Sequence, residues 1–301
     1  MYIIGCDIGG TNLKVGLIKN NEIIKKIVEP TDKDNLIEQT ITNVNKVIKE
    51  HNLTSSDIKG IGVGCPGIVR DGVIVHSNNL KLHNLNLQQI LSSRLGISVI
   101  VKNDANMAAI AEHKLGSGKK VKNMVLLTLG TGVGGGIIID GKLYEGNGSA
   151  GEIGHMTFEK NGIPCTCGRK GCLEKYVSYK ALLELAVKYL NQIPSTIIYN
   201  NGHVNINDIM ENYEKKDNCA VKIIEDYTDM LTDGVLSICN IFRPDKIIIG
   251  GGLSHFPIIT TIIKKKCENL NFGYTGSEIV DIDVASLGNN AGILGASVLF
   301  D

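Results

Sequence analysis

The sequence predicts an α/β protein of two lobes with a central cleft, and three observations lead there. Its 301 residues are 43% hydrophobic, enough for more than one core. Strand meanders broken by glycine turns and followed by helices occur twice, once at the start and once in the second half. A short repeat links the two meanders at an offset of 120 residues: Gly10 and Thr11 match Gly130 and Thr131, Gly16 matches Gly136, and Leu17 and Ile18 match Ile137 and Ile138. Matches this short are either the trace of two similar mixed sheets or a chance likeness between Gly-rich hairpins.

The elements follow in order. "YIIGC", "LKVGLI" and "EIIKKIV", separated by Gly-rich and Asn-Asn turns, read as three strands of an antiparallel meander. Leu36, Ile37, Ile41, Val44, Val47 and Ile48 recur at helical spacing and predict a helix over about 34–51. "IKGIGVGC" is a strand, a helix lies near 86–95, and "ISVIVKND" is the next strand. "MVLLTLG", "GGGIIID" and "KLYEG" form the second meander, with an Asp-Gly turn at 140 and 141. Helices near 178–190 and 217–240 precede the strands "DKIIIGGG" and "EIVDIDVAS", and "NAGILGASVLF" is the last helix.

Thirty-one basic and 31 acidic side chains cancel, which argues against nucleic acid or an anionic membrane as partner. No apolar run approaches the roughly 20 residues that span a bilayer, and the start "MYIIGCDIGG" lacks the pattern of a signal peptide, so a cytoplasmic protein with no membrane partner is expected. The eight cysteines are too scattered for a disulfide framework, except for three in "CTCGRKGC". Cys6, Cys65, Cys219, Cys239 and Cys267 stand in apolar contexts and read as core.

Five stretches carry chemistry. "CDIGGTN" and "LGTGVGGG" place glycines and a threonine between strands, where backbone N–H groups can turn toward an anion; each alone is also an ordinary tight hairpin. Neither is a P-loop, since the Gly-Lys-Ser/Thr ending and its helix are missing, but together with Asp7 they favour a nucleotide. "VKNDAN" ends a strand with Asn103 and Asp104 and opens a helix; Asp104 is either an N-cap or a general base at the carboxyl edge of a sheet. In "GEIGHMTFEKNGIPCTCGRKGCLEKY", His155, Cys165, Cys167 and Cys172 supply the Cys₃His set of structural zinc, the alternative being reduced buried thiols. Glu152 and Glu174 flank that set. "RPDKIIIGGGLSHF" offers glycines for close strand–helix packing or for a flat floor beneath an adenosine. His51, His76, His83, His113 and His203 have no companion ligands in the sequence and receive no role, and "KKK" at 264–266 reads as a solvated helix face.

In this order, "DIGGTNLKVGL", "GVGCPGIV", "VKNDAN", "LGTGVGGGIIIDGKLYEG", "GEIGH", "CTCGRKGCLE", "IIIGGGLS" and "LGNNAGILGA" resemble the ROK family (repressor, open reading frame, kinase) of sugar kinases. Bacterial ATP-dependent glucokinases are the members they resemble most, over essentially the whole chain. The resemblance implies an actin-like ATPase fold of two ribonuclease-H-like lobes, residues 1–117 with 290–301 and residues 118–289, with hexose and ATP in the cleft. It implies that Gly9, Gly10, Thr11, Asn12 and Lys14 with Gly130, Thr131, Gly132 and Gly134 hold ATP, that Asp7 sits near Mg²⁺, and that Gly251 and Gly252 line the adenosine. Asp104 would deprotonate the sugar hydroxyl, while Gly67, Asn79, Asn103, Glu152, His155 and Glu174 grip the sugar. His155 would serve twice, one ring nitrogen on Zn²⁺ and the other toward the sugar. A homo-oligomer, dimer or tetramer, is also implied.

Many members carry a tryptophan after the Asn-Leu near "HSNNLKLHNLNL"; this chain has no Trp, which leaves glucose in competition with N-acetylmannosamine, N-acetylglucosamine or fructose. The family's repressors carry an N-terminal helix-turn-helix domain, whereas here the first phosphate turn starts at Asp7, so a sugar-responsive regulator is the lesser reading. A chaperone-like or acid-kinase member of the actin-like superfamily would not need "GEIGH" with its cysteines.

Overall fold

Alternating apolar residues make the first three strands, β1 (Tyr2–Ile8), β2 (Asn12–Lys19) and β3 (Glu22–Pro30). They belong to a computed structural model that describes residues 1–197, 199–200, 203–270 and 280–300. β1 pairs antiparallel with β2, and β2 with β3. Helix α1 (Leu36–Glu50) buries Leu36, Ile41, Val44 and Val47, the face its spacing predicts. β4 (Ile58–Cys65) then runs parallel to β1. Residues 66–85, for which the sequence pattern predicts no element, hold a small antiparallel sheet of β5 (Ile68–Arg70), β6 (Val73–Ser77) and β7 (Leu82–Leu85). Helix α2 (Leu87–Leu95) leads to β8 (Val99–Asn103), parallel to β4, and to α3 (Asp104–Leu115). The sheet order is β3-β2-β1-β4-β8.

The second half opens with β9 (Met124–Leu129), β10 (Val133–Ile139) and β11 (Lys142–Leu143). Asp140 and Gly141 join β10 to β11 with φ of 50° and 75°, the paired positive values of the tight turn their sequence predicts. Helices α4 (Glu174–Val177) and α5 (Tyr179–Leu190) follow, then the pair β12 (Tyr199–Asn200) and β13 (His203–Val204). After them come α6 (Ile206–Glu214), α7 (Asn218–Phe242) and β14 (Lys246–Gly250). The chain closes with α8 (Pro257–Leu270), β15 (Asp281–Val284) and α9 (Ala291–Leu299). The strand expected over "EIVDIDVAS" is β15; positions 278 and 279 lie outside the described residues. This sheet has the order β11-β10-β9-β14-β15, the same sequence of roles as the first. The 120-residue repeat is therefore the trace of a duplicated sheet.

The chain divides into two compact units, Met1–Leu126 with Gly135–Gly151 and Ser286–Asp301, and Leu127–Gly134 with Glu152–Ala285. In the first, α9 lies close on β1 and β4. A Cβ on Gly5 would stand 2.3 Å from the Ile293 carbonyl oxygen, and one on Gly62 2.6 Å from the Ala296 methyl. Glycine inside a strand weakens it, and here that cost is offset by flush helix packing. Ile4, Val15, Ile61, Val63 and Val101 fill the core behind. In the second unit α7 buries Ile223, Tyr227, Leu231 and Val235, and the Tyr227 hydroxyl donates to the Val177 carbonyl at 2.8 Å. Cys6, Cys65, Cys219, Cys239 and Cys267 are buried free thiols, as their contexts predict. Lys264 and Lys266 of α8 are ion-paired, to Asp281 and Asp229 at 2.8 and 2.7 Å, rather than simply solvated. Among the described residues no helix is long and apolar enough to cross a membrane.

Candidate active site

Parallel pairing sets the carboxyl ends of β1, β4 and β8 side by side: Asp7 is in register with Gly64, Gly64 with Lys102, and Cys65 with Asn103. Open α/β sheets collect ligands at such an edge. Asp7 is part-buried, and its Oδ2 lies 2.7 Å from the Nζ of Lys14 on β2. Gly292 at the start of α9 leaves the room for this carboxylate, since a Cβ there would stand 2.9 Å from its Cγ. In the turn that follows, the Gly9 N–H donates to the Asn12 carbonyl at 2.8 Å and the Gly9 carbonyl accepts from Thr31 Oγ1 at 2.7 Å. Gly9 thus shapes the turn with its own backbone bonds, while Thr11 and Asn12 are exposed. A Cβ on Gly10 would be 3.6 Å from Cβ of Asn79, so this turn and the loop bearing Asn79 are neighbours.

At the end of β8, Asn103 caps α3. Its Oδ1 accepts from the Asn106 N–H at 3.1 Å, and its Nδ2 donates to the Gly67 carbonyl at 3.0 Å. The cap is therefore Asn103 and not Asp104. Asp104 occupies the first helical position, half-buried, with Oδ1 accepting from the Ala105 N–H at 2.9 Å. A carboxylate at a helix N-terminus is stabilised in its charged form by the helix dipole. Burial first, then the charges of Asp104 and Asp7, push the Cys65 thiol up, so both carboxylates lie near one sulfur. Gly67 has φ 108°, and a Cβ there would strike the His76 carbonyl oxygen at 2.2 Å.

The second unit holds the other glycine turn. Gly130 N–H donates to the Gly132 carbonyl at 3.0 Å, and Tyr179 N–H to the Gly130 carbonyl at 2.8 Å. Val133 N–H donates to Glu174 Oε2 at 3.0 Å, and a Cβ on Gly132 would be 2.4 Å from that same oxygen. Glu174 is thus fastened to the turn. Thr131 is exposed at its tip and Gly134 is half-buried just beyond it. Gly251, with φ 82°, lies against the end of β9, a Cβ there falling 2.6 Å from the Leu129 oxygen; Gly252 is exposed beside it. Close packing explains Gly251, while Gly252 leaves open backbone.

His155 ends a short 3₁₀ turn, Ile153–His155, and the cysteines sit on a loop bent at Gly168 and Gly171, with φ of 87° and 73°. The ligand atoms of His155, Cys165, Cys167 and Cys172 lie within 4.8 Å of one another. His155 Nδ1 is 3.7 Å from Cys165 Sγ, and the sulfurs of Cys167 and Cys172 are 3.5 Å apart. Tetrahedral zinc with Zn–S bonds of about 2.3 Å sets its sulfurs about 3.8 Å apart, so the donor set fits the ion. The Arg169 N–H holds the exposed Cys167 thiol down at about 6, while burial pushes Cys172 up to about 12. On the other side of the ring, His155 Nε2 faces Glu152 Oε2 at 3.9 Å, leaving the two nitrogens with different partners.

Two features have no sequence-predicted role. His76 and His83 are directly opposite on β6 and β7, with Nδ1 atoms 3.2 Å apart, so each has the companion that the linear sequence hides. The fully buried Glu112 on α3 accepts from Ser117, Ser286 and Leu287 backbone N–H groups at 2.9, 3.2 and 2.8 Å. Only strand register in one case, and helix packing in the other, makes them visible.

Residues 3–301 match the model of the ROK family. A glucokinase of Halalkalibacterium halodurans is 33% identical, over 99% of this chain and 94% of the relative. A xylose repressor of Caldicellulosiruptor bescii is also 33% identical, over 84% of this chain and 66% of the repressor. Among solved structures, a ROK family glucokinase from Streptomyces griseus in complex with glucose and AMPPNP superposes with a TM-score of 0.85 at 28% identity, covering 99% of each chain. The fold is thus the α/β, actin-like ATPase fold of ROK sugar kinases. A family match over nearly every residue, joined to one-third identity with a full-length relative, makes this chain a member of the ROK family.

Proposed function

We propose that this chain is an ATP-dependent hexokinase that moves the γ-phosphate of ATP to a hexose hydroxyl, with glucose the preferred acceptor and glucose 6-phosphate the product. The observation that supports this best is the register that puts Asp7 and Asp104 at one sheet edge, with Gly10 against Asn79. Asp104 accepts the hydroxyl proton as the hydroxyl oxygen bonds to the γ-phosphorus and the bond from phosphorus to the β–γ bridging oxygen breaks. A sugar hydroxyl ionises far above neutrality, so a carboxylate within reach is needed at that moment. In the first unit Gly67, Asn79 and Asn103 position the sugar; in the second, Glu152, His155 and Glu174 offer acceptors and a donor for hydroxyls. In this reading Gly9 shapes the turn from which Gly10, Thr11 and Asn12, with the cation of Lys14, would hold phosphates; Gly130 to Gly134 would serve the same end, and Gly251 and Gly252 the adenosine. Asp7 would hold Mg²⁺, which would supply charge neutralisation for the phosphate oxygens.

Zn²⁺ on His155, Cys165, Cys167 and Cys172 is a structural ion in this reading, since four protein ligands leave no position for a reacting water. Freshly purified, reduced protein should contain about one zinc per chain, and Cys172→Ser should lose it. Metal analysis that finds none overturns the assignment. Free thiols throughout the described residues suit a cytoplasmic setting. Assembly as a dimer or tetramer completes the proposal.

Gly132→Ala would drive a methyl against Glu174 and break its bond from the Val133 N–H. A hydrogen bond to a charged group is worth about 1.5–3 kcal/mol, so KM for ATP should rise, by about tenfold where the whole loss falls on the ATP-bound turn. An unchanged KM would show that the bond between Glu174 and Val133 does not shape the turn for ATP. The reaction itself is tested by coupled ADP release with glucose, mannose, fructose, N-acetylmannosamine and N-acetylglucosamine. Glucose should give the highest kcat/KM; ADP release that no hexose stimulates rejects the proposal, and a higher value for another sugar moves the substrate to that sugar.

A further inference from the structure

His76 and His83 lie outside every role given above. They face each other across the antiparallel β6–β7 ladder, with Nδ1 atoms 3.2 Å apart, ring centroids 4.4 Å apart and ring planes at 55°. His76 is half-buried and His83 exposed, so solvent and ions reach the pair. The Nε2 of His76 stands 2.7 Å from Oδ1 of Asn78. With the Asn78 amide oxygen on this side, the contact takes its proton from His76 Nε2 and leaves a lone pair on Nδ1, toward His83. That is the tautomer of a metal-binding histidine whose far nitrogen is fixed by a hydrogen-bond partner.

Distance points the same way. Two imidazole nitrogens on one zinc at about 2.0–2.1 Å, at the tetrahedral angle, stand about 3.3 Å apart. The observed 3.2 Å already has that span, so only the ring torsions need adjust. Without an ion, His83 donates its Nδ1 proton to His76; when an ion binds, exposed His83 exchanges with solvent to the tautomer protonated on Nε2, and both Nδ1 lone pairs face the ion.

We propose that His76 and His83 form a two-histidine chelate for a borderline divalent transition ion such as Zn²⁺, with water in the remaining positions and Asn78 as the group that orients His76. The site is separate from the cysteine cluster: it uses no thiol, lies in the first unit, and keeps open coordination positions. It also ties β6 to β7 at the base of the turn that carries Asn79.

The full-length protein, with its cysteine cluster loaded with zinc and excess metal removed by gel filtration, is titrated with Zn²⁺ by calorimetry at neutral pH. A further equivalent per chain should bind, at least about tenfold more weakly in His76→Gln and in His83→Gln. Zinc retained on the cysteines by both variants serves as the control for folding, and neither histidine is assigned to catalysis. A wild-type chain that takes up no further equivalent, or one whose uptake survives both substitutions unchanged, overturns the proposal. Cys172→Ser, which removes only the cysteine-bound ion, distinguishes the two sites.

Discussion

Replacing Asp104 with asparagine is expected to lower kcat for hexose phosphorylation by about 10³-fold while KM for the hexose changes little, because a positioned general base contributes about 10²–10⁴. The amide keeps the size and the acceptor oxygen of the carboxylate but cannot take a proton. It also leaves the helix intact, since the cap is Asn103 and its bonds to Asn106 and Gly67 do not involve the replaced atoms. A loss confined to kcat is the signature of an interaction needed only as the new bond forms. Steady-state ADP release with varied hexose reads both constants. If kcat stays within a few-fold of wild type, Asp104 is not the base.

Glu112→Ala should be strongly destabilising. The carboxylate is fully buried and accepts from three backbone N–H groups, and Ser286 Oγ adds a fourth contact at 3.3 Å. Removing it leaves those donors without an acceptor in a site closed to water. Leaving a buried donor unpaired costs about 1–3 kcal/mol, so the set costs about 3–5 kcal/mol. For a unit of this size that corresponds to a fall in Tm of about 10 °C. Glu112→Gln should fall between, because its NH₂ group faces N–H donors in place of an acceptor oxygen. Thermal unfolding by circular dichroism checks the order; a shift of under 2 °C for the alanine variant would mean the loops find other partners.

The place of Glu112 explains why it matters. Ser286 is where the chain re-enters the first unit, and α9, which packs on β1 and β4, begins five residues later. One carboxylate on α3 therefore anchors the approach to the last helix. Nothing in "AEHKLGSG" or "VASLGN" announces this, because the partners that tie α3 to the last helix, Ser286 and Leu287, are 174 and 175 residues away.

Strand and helix positions, by contrast, were legible almost throughout. Alternation in "LKVGLI" and the 3.6-residue period over Leu36 to Val47 are local signals, and the Asn-Asn and Asp-Gly turns adopt the positive φ those residues tolerate, Asn20 at 51° and Asn21 at 62°. The sheet β5-β6-β7 escaped because its strands are three to five residues long and interrupted by Arg, His and Asn. Helix α6 escaped for a related reason: its apolar residues, Ile206, Ile209 and Met210, are too few to set a period.

From the sequence alone came the α/β class, the duplication hinted at by Gly10-Thr11 and Gly130-Thr131, and the residue types of two glycine turns, one strand-end Asp and a Cys₃His set. These follow from rules that act within a turn or a few residues. Tertiary structure alone decided that Asn103 rather than Asp104 caps α3, that Glu174 grips the turn at Val133, and that His76 meets His83. It also decided that residues 135–151 and 286–301 belong with the first unit. Each of these depends on strand register or helix packing, which is set by the sum of many contacts between distant segments and leaves no mark on the neighbouring residues.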